Sequence, residues 1–165
     1  MKIYLMRHGI ANEPDGTSFE VDSQRPLTAK GRDKIKLIAR TLKELDIKPN
    51  LILSSPYIRA EQTATILAKE FDRKKNLKFS DLLVPDGKPE AIIGEIVENY
   101  LVGELVIVGH EPCLSLLIST LVAGRSELAI NIKKGGVCCL STDDLSLERR
   151  ATIEWLLPPK ILLKV

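Results

Sequence analysis

What most constrains this chain is an alternation. Short apolar runs, Ile3-Tyr4-Leu5-Met6, Leu51-Ile52-Leu53 and Leu105-Val106-Ile107-Val108, are each followed by a stretch with helical spacing. Residues 2–6, 50–53 and 105–108 therefore read as strands, too short for helices and apolar enough to be buried on both faces. Over 28–45, Ile35, Ile38, Leu42 and Leu45 recur at intervals of three and four, and Thr28 stands where an N-cap belongs. Ser55-Pro56 opens a second helix running to about residue 71, with proline tolerated in its first turn. Ile92, Ile93, Ile96 and Val97 mark a third over 89–100, and a fourth runs from Glu111-Pro112 to about 122. Residues 78–79 suit a short edge strand, and 137–140 and 152–157 suit closing strands, a hairpin around Asp143-Asp144. Alternation of this kind implies βαβ units. The expected fold is α/β, a three-layer sandwich with a mostly parallel central sheet and helices on both faces. No Gly/Ser linker or repeat divides the 165 residues, so a single domain over 1–165 is expected.

Composition removes several function classes. A net charge of +2 and 4% aromatics argue against nucleic acid, whose binding needs a basic face or interleaved aromatics. The N-terminal apolar stretch is shorter than a secretory core, and no window reaches the roughly 18 apolar residues of a membrane span. No membrane association and a cytoplasmic location are expected. Cys138 and Cys139 are adjacent, so on a strand they point to opposite faces and make poor disulfide partners. With Cys113 they read as small buried hydrophobes. No metal site is expected, because no Cys-x-x-Cys or His-x-x-x-His spacing occurs. The apolar tail from Pro158 onward is expected to cover a sheet edge.

The chemistry gathers where strands end. Arg7-His8-Gly9 follows the first strand, Ser54-Ser55-Pro56-Tyr57-Ile58-Arg59 the second, and Gly109-His110-Glu111-Pro112 the strand at 105–108. In open parallel sheets, ligands bind in the crevice outside the carboxyl ends of strands. The two histidines of the chain, His8 and His110, and two arginines, Arg7 and Arg59, thus face one crevice, with two helix starts beside them. Two fixed positive charges among many donors suit an oxyanion, and guanidinium matches phosphate in particular. One imaginable division of labour makes one imidazole a nucleophile and the other a donor, with the arginines supplying the charge that Mg²⁺ supplies elsewhere. A metal held by the two histidines is disfavoured, since the arginines would repel it. Gly9 is expected to let the backbone turn and approach the ligand, and a carbonyl is expected to hold Nδ1 of His8.

These motifs resemble the histidine phosphatase superfamily, the phosphoglycerate-mutase-like phosphatases. The resemblance rests on Leu5-Met6-Arg7-His8-Gly9, Arg25-Pro26-Leu27-Thr28-x-x-Gly31, Ser54-Ser55-Pro56-x-x-Arg59-Ala60-x-Gln62-Thr63-Ala64 and Val106-Ile107-Val108-Gly109-His110, in family order. It implies that His8 becomes phosphorylated, and that Arg7, Arg59 and His110 hold the transferring phosphoryl group with Gly9 beside them. No cofactor is implied. The short length, the Arg-Pro-Leu-Thr motif and Leu83-x-Pro85-x-Gly87 are similar to the SixA-type phosphohistidine phosphatases. That likeness implies a phosphohistidine-bearing protein, such as a phosphotransfer domain, as partner. The region 82–87, where larger members carry a glutamate acid, holds none. A phosphoramidate leaves readily once its imidazole is protonated, so a strong acid is less needed. Candidate acids are Glu13, Asp15, Asp81 and Glu111. Two alternatives stand beside this reading: a phosphatase for small phosphate esters, and a non-catalytic phosphate-binding or interaction module.

Overall fold

Six strands form one sheet in the order β3-β2-β4-β1-β5-β6. The computed structural model describes residues 1–13, 21–124, 128–145 and 151–164. The strands are β1 (Lys2–Arg7), β2 (Leu51–Ser54), β3 (Leu77–Phe79), β4 (Glu104–Gly109), β5 (Val137–Ser141) and β6 (Thr152–Leu157). The first four run parallel, and β5 runs against its neighbours β1 and β6. The sheet is therefore mostly parallel, as its apolar runs imply.

Strand alternation divides the core. Ile3 and Leu5 of β1 pack with α3 (Pro89–Asn99) and α4 (Cys113–Ala123) on one face. Tyr4 and Met6 pack with α1 (Ala29–Glu44), α2 (Ile58–Glu70) and the short α5 (Pro159–Leu162) on the other. Helices thus cover both faces. Cys138 falls in the first cluster and Cys139 in the second, and all three cysteines are free and buried. Thr28 caps α1, its hydroxyl accepting from Gly31 N at 2.9 Å. Among the described residues, no helix is long and apolar enough to cross a membrane.

Two expectations need correction. First, α2 begins at Ile58, not at Ser55-Pro56. The proline disfavours helix for the residue before it, and Ser55 N donates to Val108 O at 3.0 Å, prolonging the link between β2 and β4. Second, the tail does not cover the sheet edge. It folds back on α1, where Thr41 Oγ1 donates to Leu162 O at 2.8 Å and Leu162 is fully buried beside the α1 face. Burial of one leucine and a satisfied carbonyl outweigh shielding of β6, whose Ile153 and Leu156 stay exposed.

Candidate active site

Register brings three strand tips together. Arg7 pairs with Gly109 across β1 and β4, and Ser54 with Val108 across β2 and β4. His8 N then donates to Gly109 O at 3.0 Å, so His8, His110 and Ser55 leave adjacent strands at one level.

His8 is buried and its tautomer follows from its partners. Nδ1 lies 2.7 Å from Gly9 O, which can only accept, so Nδ1 carries the proton. Nε2 accepts from Arg59 Nε at 3.2 Å, so it is the unprotonated nitrogen, its lone pair turned toward that guanidinium. Burial, with the charges of Arg59, Arg7 and Lys134 adding to it, pushes the ring down to about 3 against the opposing Gly9 carbonyl. His8 is therefore neutral and nucleophilic at Nε2 throughout the physiological range.

His110 lies beside it, ring centroids 5.0 Å apart, with Tyr57 5.0 Å from its other side. Nε2 of His110 is 2.9 Å from Ser55 Oγ, and Tyr57 N donates to that same oxygen at 3.3 Å. When the Ser55 hydroxyl donates to Nε2, the ring's own proton sits on Nδ1. Nδ1 of His110 is buried without a partner. Burial, then the charges of His8 and Arg59, lower the ring's proton affinity.

The two arginines are held differently. Arg7 donates to Ile132 O at 2.9 Å, and its buried Nε has no partner. Burial lowers its guanidinium and Arg59 adds to this, while Glu111 opposes it. Glu111 grips the segment that holds Arg7, accepting from Ile132 N at 3.2 Å and from Ser115 Oγ at 2.6 Å. Arg59 is 3% exposed. Its Nη1 donates to Asp22 O at 2.6 Å and its Nη2 to Asp22 Oδ2 at 2.7 Å. Asp22 sits in a 3-10 turn (Asp22–Gln24), and its other carboxylate oxygen is tied to Arg25 at 2.6 Å. Burial raises this carboxyl, but hydrogen bonds from Arg59 and Arg25 outweigh it and hold it below the usual carboxylate range.

Four expected site residues, Arg7, His8, Arg59 and His110, thus converge on one crevice. Gly9 serves another purpose than expected. Its φ is not left-handed, and its N–H donates to Thr63 Oγ1 at 3.1 Å. A Cβ there would come 2.7 Å from Ile35 Cγ1, so glycine allows α1 to approach the strand tip. Of the candidate acids, Glu13 pairs with Lys134 at 3.4 Å, Glu111 has both oxygens engaged, and Asp81 starts the 3-10 turn Asp81–Leu83. Asp15 lies outside the described residues. The carboxylate that does reach the crevice, Asp22, is one that spacing alone does not single out. Nor does it assign Ser55 a role. Its place between a strand end and proline, where a side chain must turn inward, is the signal that could have found it. Among the described residues, no three His, Cys, Asp or Glu side chains stand together as a metal site.

The Histidine phosphatase superfamily (branch 1) model matches residues 3–83. Phosphohistidine phosphatase SixA of Escherichia coli K12 is 33% identical over 133 residues, 76% of this chain and 77% of the relative. This chain belongs to the histidine phosphatase superfamily. An uncharacterized protein of Picosynechococcus is 33% identical over 168 residues, 96% of this chain and all of the relative. A solved structure of the protein histidine phosphatase SixA complexed with tungstate superposes with a TM-score of 0.84 at 26% identity, over 98% of this chain and 99% of that one. The Arg7-His8-Gly9 sequence stands on β1 and at its tip, with His110 at the tip of the neighbouring β4.

Proposed function

We propose that this chain is a phosphohistidine phosphatase: it removes phosphate from a protein histidine through a covalent phosphohistidine on its own His8. The observation that carries the reading is the unprotonated Nε2 of His8, fixed by Gly9 O and ringed by Arg59, Arg7 and His110. The likeness to SixA proteins, one of them holding the oxyanion tungstate, supports the same substrate class. One sheet carrying every site element supports a single domain over 1–165.

In the first step, Nε2 of His8 attacks phosphorus in line. The P–N bond of the substrate breaks, and its electron pair leaves on the substrate imidazole, which departs neutral if already protonated at its other nitrogen. In the second step, water attacks the same phosphorus, the bond to Nε2 breaks, and inorganic phosphate departs with His8 neutral again. Arg7, Arg59 and the Nδ1–H of His110 bind the equatorial oxygens, where charge is spread in the transition state. The hydroxyl of Ser55, donating to Nε2 of His110, keeps the proton on Nδ1. Asp22 occupies both Nη groups of Arg59, so phosphoryl oxygens compete with it for that guanidinium. A phosphohistidine leaves without strong acid assistance, which suits a site whose nearest carboxylate is held ionised.

The test is incubation with a histidine-phosphorylated protein in EDTA. Phosphate release, with acid-labile and alkali-stable label on the enzyme, is expected. His8→Ala should abolish the label, and Arg59→Ala should slow release by about 10²–10⁴-fold. Unlabelled enzyme that still binds phosphate would turn the reading into a binding module, and preferential turnover of small phosphate esters would move it to an ester phosphatase.

A further inference from the structure

A groove of about 370 Å³ lies beside the crevice, and Arg7 belongs to both. Its floor is apolar: Ile10 and Pro159, each half-buried, face the groove over Ile35 and Ile38 of α1, which are fully buried beneath. Its walls carry Lys34, Lys133 and Lys134, and none of its lining residues is a carboxylate. Among the described residues, Lys34 and Lys133 have no ion-pair partner. Lys134 is near enough to His8 for its charge to lower the imidazole. It also already holds one carboxylate, the exposed Glu13, at 3.4 Å.

An apolar floor under three ammonium groups selects a particular occupant. A free phosphate would find charge there but nothing for the apolar floor to bury. A basic or neutral surface would leave the lysines crowded against each other and Arg7. We propose that this groove docks the chain segment flanking the phosphohistidine of the substrate protein, a segment that sets an aliphatic side chain beside an aspartate or glutamate. The aliphatic group covers Ile10 and Pro159, and the carboxylate meets Lys34 and Lys133. Because the groove shares Arg7 with the crevice, a segment lying in it delivers its neighbouring histidine to His8. The inference rests on the phosphohistidine reading and adds which protein surfaces present that histidine productively.

The test uses two phosphohistidine peptides, alike except for a flank of Leu and Glu in one and Leu and Lys in the other. Phosphoramidate serves as a small substrate with no flanking segment to lie in the groove. The acidic peptide should have at least a roughly tenfold higher kcat/KM, an advantage that shrinks as salt rises. The double variant Lys34→Glu, Lys133→Glu should erase that advantage and leave phosphoramidate turnover unchanged. Equal rates for the two peptides, or a preference untouched by the double variant, would overturn the docking proposal while leaving the phosphatase reading in place. If no substrate is turned over, the phosphatase reading fails instead. Fluorescence anisotropy with the unphosphorylated acidic peptide still decides the groove: binding lost in the double variant supports it, and equal binding of both peptides overturns it.

Discussion

Replacing Asp22 by asparagine tests how the crevice admits its anion. In the structure, Arg59 spends Nη1 on the backbone carbonyl of Asp22 and Nη2 on its carboxylate, at 2.6 and 2.7 Å. A phosphoryl group that is to be gripped by this guanidinium must displace or share the carboxylate. A charge-assisted hydrogen bond contributes about 1.5–3 kcal/mol when well shielded. Asp22 is 53% exposed and divides its charge between Arg59 and Arg25, so screening cuts its hold on Arg59 to about 1 kcal/mol. Asparagine keeps an acceptor of similar shape but removes the charge. Phosphate, or tungstate as a tetrahedral stand-in, should therefore inhibit the variant at about fivefold lower concentration. With phosphoramidate as substrate, KM should fall by a similar factor with kcat held. The opposite pattern is equally concrete. If Asp22 aims Arg59 rather than competing for it, kcat and kcat/KM will drop together and the inhibition constant will stay or rise. That outcome would refute the competition argument.

Other perturbations follow from the same contacts. Ser55→Ala removes the hydroxyl 2.9 Å from His110 Nε2, freeing the ring to place its proton on either nitrogen. A drop of about tenfold in kcat/KM with restoration by Ser55→Thr is expected, in line with one hydrogen bond of about 1.4 kcal/mol, and an unchanged pH–rate profile with full activity would show that packing against Tyr57 suffices. Stability should also depend on pH through the two histidines. His8 is pushed to about 3 and His110 is lowered too, burial being the main cause in both, whereas in the unfolded chain each titrates near ~6.5. Below that value the unfolded chain binds more protons than the folded one. Their contribution is therefore intact above about pH 6.5 and lost as pH falls toward the folded values, with a slope of up to about 1.4 kcal/mol per pH unit for each ring. Urea midpoints measured between pH 7 and pH 5 should fall, and His110→Gln should flatten the slope by one proton. A level profile in the parent protein would contradict the burial of both rings as neutral groups.

Much of the architecture was legible because apolar runs buried on both faces leave few alternatives. Ile3-Tyr4-Leu5-Met6 and Leu105-Val106-Ile107-Val108 can lie side by side only in the interior of a sheet, and their tips then define the crevice. The same reasoning located His8, His110, Arg7 and Arg59, since strand ends carry their residues to a common level. Boundaries at prolines were less legible. The pair Ser55-Pro56 resembles a helix start, yet a backbone hydrogen bond to Val108 O prolongs the strand instead. A second constraint on Gly9 was not legible, because it comes from Ile35 on a helix some two dozen positions away. Asp22 was invisible for a similar reason. It sits in a stretch of sequence rich in acids, and only its contact with Arg59 distinguishes it from Glu13. The tail shows the limit of apolar patterning: it predicts burial of Leu162 but not against which layer.

The crevice also explains why these particular groups stay buried at a cost to stability. Nε of Arg7 and Nδ1 of His110 are shielded from water and have no partner, a situation that costs about 1–3 kcal/mol per group in a protein interior. Two cations, Arg7 and Arg59, lie near enough for each to affect the other's surroundings, as the lowered guanidinium of Arg7 reflects. A fold optimised for stability alone would set carboxylates among them. Here that charge is met only in part: Glu111 is committed to Ile132 N and Ser115, and Asp22 meets Arg59 from an exposed turn. The unsatisfied donors therefore share one complement, a compact anion with several acceptor oxygens. Because Arg7 and His110 are in place before the anion arrives, little reorganisation beyond the exchange of Asp22 for phosphoryl oxygens on Arg59 is left, which is the condition under which electrostatic stabilisation accelerates the reaction most.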